Sequence, residues 1–259
     1  MIRAAGVVIP AHNEQTMLPG CLRAVHEAAA RAGGTPVHIV VVADDCDDAT
    51  AIHARRGGAK TVEITSHSVG AAREAGIREV LRITGHLDPA AVWLATTDAD
   101  SVVPANWLIR QLRLANEGWE AVVGTISVTD WSGHPPGVRV LFEQRYRSSA
   151  GDHSHVHGAN LGFTAKAYLT AGGFPSLRTA EDHALVNAFS AAGSRVLRTT
   201  EVNVVTSARR RARAPRGFSH LLRALDFEGS GVQIPRIGDH VPPDLAERNR
   251  AGLSRADLT

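Results

Sequence analysis

The sequence predicts an α/β protein built on a mixed, mostly parallel sheet with helices on both faces. Three observations carry this. Short β-branched runs alternate with amphipathic stretches over the first half, the strand-like runs end in polar and acidic residues, and the apolar stretches are only strand-long. With 259 residues, 44% of them hydrophobic and 21% charged, the chain can bury a core without disulfides and is too apolar for global disorder.

Gly6 to Ile9 reads as the first buried strand, and Leu18, Leu22, Val25 and Ala29 follow as a helical stripe. Val37 to Val42 is a second strand, Asp48 and Thr50 are helix-start residues for a short helix, and Thr61 to Ile64 is a third strand. Ala72, Gly76, Val80 and Ile83 mark the next helix and Val92 to Ala95 the fourth strand. Pro104 is then placed to open a helix carrying Trp107, Leu108 and Leu112. Beyond residue 120 the pattern loosens. It predicts a strand over 121–128, helices over 138–148, 165–171 and 181–192, and strands over 195–199 and 202–206. One domain is expected over residues 1–228, with halves meeting near residue 102. From Gly229 onward the chain is rich in Pro, Gly and charge and is expected to pack loosely.

The balance of 28 basic and 26 acidic residues, +2 overall, gives no reason to expect a nucleic-acid partner. Lys60 and Lys166 are the only lysines, and five arginines fall between Arg209 and Arg216, a residue type suited to phosphate. No secretory signal or membrane span is evident, so a cytoplasmic location is expected. Cys21 and Cys46 lack metal-ligand spacing and read as buried or incidental thiols.

In open parallel sheets ligands sit at the carboxyl ends of strands, and three ends here are unusual. They are Pro10-Ala11-His12-Asn13-Glu14, Asp44-Asp45-Cys46-Asp47-Asp48 and Asp98-Ala99-Asp100. The six acids of the last two would repel one another unless a cation or hydrogen-bond donors are held there. Asp-X-Asp can present two carboxylates on one side of an extended segment, and hard oxygen ligands favour Mg²⁺ or Mn²⁺. By itself the same spacing also serves as turn and cap residues before Pro104.

These segments, together with Gly70-Ala71-Ala72-Arg73-Glu74-Ala75-Gly76, resemble the ordered motifs of family 2 glycosyltransferases. The likeness continues through Gly158-Ala159-Asn160-Leu161-Gly162-Phe163, Gly172-Gly173-Phe174 and Glu181-Asp182, covering roughly residues 5 to 200. It implies a GT-A fold, with a nucleotide-binding half over about 1–102 and an acceptor half over 103–228. Pro10, Ala11, Asn13, Glu14, Asp44, Arg73, Asp98 and Ala99 are the implied nucleotide contacts. Asp44 would accept from the base imide, and Arg73 would steady the acidic pocket or reach the nucleotide. Asp98 and Asp100 would hold Mn²⁺ or Mg²⁺, with His220 a further ligand. Gly158, Ala159, Asn160 and Glu181 would meet the sugar or acceptor, and Asp182 would be the general base of an inverting transfer. The implied donor is a UDP-sugar, with UDP-GlcNAc or UDP-glucose favoured, and the acceptor a small molecule, natural product or lipid-linked hydroxyl.

Two segments depart from the commonest family pattern: His12, and Asp45-Cys46-Asp47. No Gln-X-X-Arg-Trp segment follows Glu181-Asp182, which points to transfer of one sugar rather than processive polymerisation. The segment from Ser207 to His220 is expected to close over the diphosphate, and peripheral membrane contact and a homodimer are compatible with the sequence. Two rival readings stand beside this one. His153, His155 and His157, preceded by Asp152, could serve a metal-dependent hydrolase, and the nucleotide residues could serve a non-catalytic sugar-nucleotide-binding protein.

Overall fold

β1 (Ala4–Ala11) is buried along its whole length, as its unbroken apolar composition requires, and it organises the sheet. In the computed structural model, which describes residues 1–146, 153, 155–175, 177, 179–209 and 222, β1 pairs in parallel with β2 (Val37–Asp44) on one side and β4 (Val92–Thr96) on the other. The remaining strands are β3 (Lys60–Ile64), β5 (Ser101–Val102), β6 (Ala121–Ser127), β7 (Leu161–Thr164) and β8 (Val196–Thr206). They form one eight-stranded sheet in the order β3-β2-β1-β4-β7-β6-β8-β5. Four of its seven neighbour pairs are parallel, and those of β7 with β4 and β6 and of β5 with β8 are antiparallel.

Helices α1 (Leu18–Ala30), α2 (Thr50–Arg56) and α4 (Trp107–Asn116) cover one face, where Leu18, Leu22, Val25, Ala54, Trp107 and Leu108 share a core. Helices α3 (Val69–Thr84), α6 (Ala165–Thr170) and α7 (Glu181–Ala191) cover the other, around Ile77, Val80, Phe163, Tyr168 and Phe189. Between these, α5 (Pro136–Tyr146) packs Val138 and Phe142 against Ala208 and Leu222 in a small separate cluster. Among the described residues no helix is long and apolar enough to cross a membrane.

Several boundaries differ from the sequence expectation for physical reasons. β1 runs two residues past Ile9, through Pro10, because its pairing with β2 continues to Ala11–Ala43 after pairing with β4 stops at Val8. The Val8 carbonyl accepts Thr97 N–H on that side, and Pro10, two residues on, faces the same side, so its missing N–H removes no ladder bond. The α1 and α3 stripes hold at Leu18, Leu22, Val25, Ala72, Gly76 and Val80 and differ at their last position: Ala28 rather than Ala29 is buried in α1, and Ile77 and Thr84 rather than Ile83 in α3. The α4 helix begins at Trp107, with Pro104 in the turn before it.

The two predicted strands over 195–206 are one. β8 pairs with β6 in two registers, Val196–Arg198 with Ala121–Val123 and Asn203–Val205 with Thr125–Ser127, separated by a bulge opposite Gly124. The two-residue β5 has no sequence counterpart in the expectation. Its pairing of Ser101 with Thr206, reinforced by a 3.0 Å hydroxyl–hydroxyl bond, brings the end of β8 beside Asp100.

Candidate active site

The ends of β1, β2 and β4 lie side by side, and their loops are knitted together chiefly by side chains accepting from backbone. Asn13 Oδ1 accepts Asp47 N–H at 3.0 Å, Gln15 Oε1 accepts Ala49 N–H at 3.1 Å, and Glu14 N–H donates to Thr50 Oγ1 at 2.7 Å. Asp44 accepts three backbone N–H groups, from Ser66 (2.6 Å), His67 (3.0 Å) and Ser68 (2.9 Å). Ser68 in turn caps α3 by accepting Ala71 N–H. Asp48 accepts from Gln15 N–H and from Thr50. Of the acids that end β2, Asp44 and Asp48 are thus met by N–H and hydroxyl donors and Asp45 lies 3.3 Å from His67 Nδ1, whereas Asp98 and Asp100 meet guanidinium groups.

Among the described residues two arginines serve that pair. Arg73, buried on α3, donates to Asp98 Oδ1 at 2.8 Å and to Glu181 Oε1 at the start of α7. Burial works against its charge, yet Asp98, Glu181 and Asp182 outweigh that effect and hold its pKa above the ordinary value. Arg209, just beyond β8, bridges Glu14 Oε1 at 2.6 Å and Asp100 Oδ2 at 2.9 Å. Burial pushes the Asp100 carboxyl up to about 7; Arg209 counters this, and Asp98 and Glu14 add to it. Among the described residues, the Asp98 and Glu181 carboxylates thus share the Arg73 guanidinium, and those of Glu14 and Asp100 share the Arg209 guanidinium.

Asp182 is half-buried at the first turn of α7 and is placed by the loop before β7. Its Oδ2 accepts Gly158 N–H at 2.9 Å, while the Gly158 carbonyl accepts from Thr96 Oγ1 at 2.6 Å at the end of β4. A Cβ at Gly158 would fall within 3.0 Å of the Arg73 guanidinium, so only glycine lets the loop lie on that arginine. The residue before α7, Ala180, has φ of 61°. Among the described residues the other non-glycine positive-φ positions are Asn13, Asp45 and His67, so all four flank the strand-end loops or Glu181-Asp182. Strain of this kind gathers where a structure holds functional geometry.

The sequence profile of glycosyl transferase family 2 matches residues 6–169. The chain belongs to glycosyltransferase family 2. Its fold is that of GT-A proteins. The TarS residue 1–349 structure from S. aureus, in complex with UDP-GlcNAc, aligns over 90% of this chain and 68% of its own at TM-score 0.60 and 12% identity. The mannosyltransferase PcManGT from Pyrobaculum calidifontis, in complex with GDP-Man and Mn²⁺, aligns over 91% of this chain and 66% of its own at TM-score 0.57 and 19% identity. The chain spans only 40% of a longer TarS structure. A search of curated proteins finds no match.

For this family 2 protein the structure places the expected residues unevenly. Arg73, Asp98, Asp100, Glu14, Gly158, Glu181 and Asp182 form one connected set. Pro10, Ala11, Ala99 and Ala159 are buried, and could offer a ligand backbone more readily than side chain. Asn160 has another job than meeting sugar hydroxyls. Its Nδ2 donates to the carbonyls of Thr125 (2.7 Å) and Val202 (2.9 Å) across the β6–β8 bulge, and its Oδ1 accepts Trp107 Nε1–H at 2.9 Å. Glu181 is likewise turned inward onto Arg73, and burial raises its pKa. His220 and residues 210–219 of the expected closing segment lie outside the described residues, as does the tail over 229–259.

The histidine row does share one side of the chain, but as a stack rather than a converging ligand set. Ring centroids of His153, His155 and His157 are 6.3 and 6.2 Å apart, and Tyr146 stacks on His155 at 4.1 Å. Both ring nitrogens of buried His153 lie within 3.3 Å of backbone carbonyls of Val123, His155 and Thr199. Among the described residues that arrangement brings no three ligating side chains together, and Asp152 lies outside those residues. Sequence reasoning missed the Thr96–Gly158 tie and the Trp107–Asn160 pair, for which neither partner carries a local signal.

Proposed function

We propose that this protein transfers one sugar from a nucleotide-sugar, with a UDP-sugar such as UDP-GlcNAc or UDP-glucose favoured, to an acceptor hydroxyl with inversion. The observation that carries the reading is the placement of Asp182. It is a half-buried carboxylate fixed by the Gly158 N–H, and Arg73 connects its neighbourhood to the Asp98–Asp100 strand end.

In this reading the donor lies over the ends of β1, β2 and β4, and the Gly158 loop lets backbone come close to it. The acceptor oxygen attacks the anomeric carbon from the side opposite the nucleotide. A new C–O bond forms, the bond to the diphosphate oxygen breaks with its electron pair leaving on the nucleotide, and the hydroxyl proton passes to Asp182. Asp98 and Asp100 would hold the metal. Among the described residues no three side chains converge as ligands, so diphosphate oxygens and water would complete the shell, as suits Mg²⁺ or Mn²⁺. Such an ion supplies positive charge for the departing diphosphate. Arg73, locked by two acids and covered by Gly158, keeps the Asp98 side of the site and α7 in fixed register.

The solved structures that it resembles hold UDP-GlcNAc in one case and GDP-Man in another, so likeness of fold does not choose the base. The test is a panel of UDP- and GDP-sugars scored by nucleotide release with a hydroxyl acceptor, with Mn²⁺ and after chelation, and with the anomeric configuration of product read by NMR. Metal-dependent release with inverted product is expected. Metal-independent release or retained configuration would overturn the corresponding part of the reading.

A further inference from the structure

We propose that Arg209 is the resident cation of the Glu14–Asp100 carboxylate pair, and that a divalent ion entering at Asp100 must displace it. The inference rests on the metal role proposed for Asp100 and adds the group that competes for that carboxylate.

The two arginines on the Asp98-Ala99-Asp100 segment are held in different ways. Arg73 is buried, bound to acids from two elements and pressed against Gly158, so it is a fixed part of the frame. Among the described residues, the Arg209 side chain is held by the ion pairs of its guanidinium. Its side chain is 26% exposed, whereas the Glu14 and Asp100 side chains that it bridges are 5% and 11% exposed. The arginine is thus the most exposed of the three side chains.

The backbone beneath it is anchored. Thr206 pairs with Ser101, Ala208 is buried against Val138 and Phe142 with its carbonyl 2.5 Å from His134 Nε2, and Arg209 N–H donates to Ser207 Oγ at 3.2 Å. Exchange therefore requires only the side chain to swing.

The physical reason for exchange is competition for one carboxylate. Nη2 of Arg209 occupies Asp100 Oδ2, and a doubly charged ion bound to the same carboxylate would sit next to the guanidinium and repel it. The ion is smaller and carries twice the charge, so it takes the carboxylate. The freed fork is left at the rim, with a geometry suited to phosphate oxygens. Glu14 loses this ion pair in the same event, which links the β1 loop to the arrival of metal.

The experiment titrates Mn²⁺ alone, without nucleotide, into the full chain at pH 8 and reads free ion by electron paramagnetic resonance, for wild type, Arg209→Gln and Asp100→Asn. Arg209→Gln is expected to bind Mn²⁺ at least about fivefold more tightly than wild type, and Asp100→Asn to lose binding. Arg209→Lys keeps a charge but cannot span two carboxylates with a planar fork. It should fall between, and it serves if the Gln variant does not fold. Equal or weaker affinity in the Arg209 variants, with binding still lost in Asp100→Asn, overturns the exchange and leaves the metal site standing. Unchanged Mn²⁺ binding by Asp100→Asn removes the metal from this carboxylate and takes the exchange with it.

Discussion

Asp182 accepts the backbone N–H of Gly158 at 2.9 Å, and that glycine is itself pressed onto the Arg73 guanidinium. The bond fixes one carboxylate oxygen without neutralising the group, which leaves lone pairs to receive a proton. It also makes the position of the proposed base depend on a residue without a side chain.

Asp182→Asn should leave nucleotide affinity within a few-fold of wild type and lower turnover by about 10²-fold or more, the loss expected when a general base is removed. Calorimetry with UDP and steady-state nucleotide release measure the two quantities. Near-normal turnover on a true acceptor would pass the role to another group.

Gly158→Ala should destabilise the fold by about 1–3 kcal/mol, because the new methyl must push aside a buried arginine bound to two acids. Urea unfolding reads the stability. Turnover should fall as well, since the Gly158 N–H shifts away from Asp182. Stability unchanged within about 0.5 kcal/mol would show that Arg73 is free to move.

Asn160→Ala should cost about 3 kcal/mol or more, since it strands the Trp107 indole N–H and removes the donor shared by the Thr125 and Val202 carbonyls. Donor KM in the folded fraction should change little. A selective rise in KM with unaltered unfolding would instead return Asn160 to the sugar pocket.

Acid should weaken the fold through His157. Burial drives its pKa down to about 3, with Asp182 opposing, so the native state resists a proton that the unfolded chain takes up near 6.5. The stability that this neutral ring confers is fully present above about 6.5 and is lost as pH falls towards 3. The limiting slope is about 1.4 kcal/mol per pH unit, which amounts to on the order of 1–2 kcal/mol by pH 5. Unfolding free energies of wild type and His157→Gln over pH 5–8 should diverge below 6.5, and parallel curves would contradict the assignment.

The sequence by itself determined the fold class, the family and the strand ends where acidic residues gather. Those features are local: β-branched runs, helical stripes and motif order are written in neighbouring residues. Only the tertiary structure decided how the acids divide. Asp44 and Asp48 turn to backbone donors, whereas Asp98 and Asp100 meet Arg73 and Arg209, which are distant in sequence. It likewise decided that Asn160 bridges a bulge, that two predicted strands are one, and that the two-residue β5 sets Asp100 beside the end of β8. A carboxylate or an amide has the same sequence signature whether it faces a ligand or a buried partner. What separates the two cases is the desolvation cost of an unpaired buried group, and that depends on which distant donor the fold brings within 3 Å.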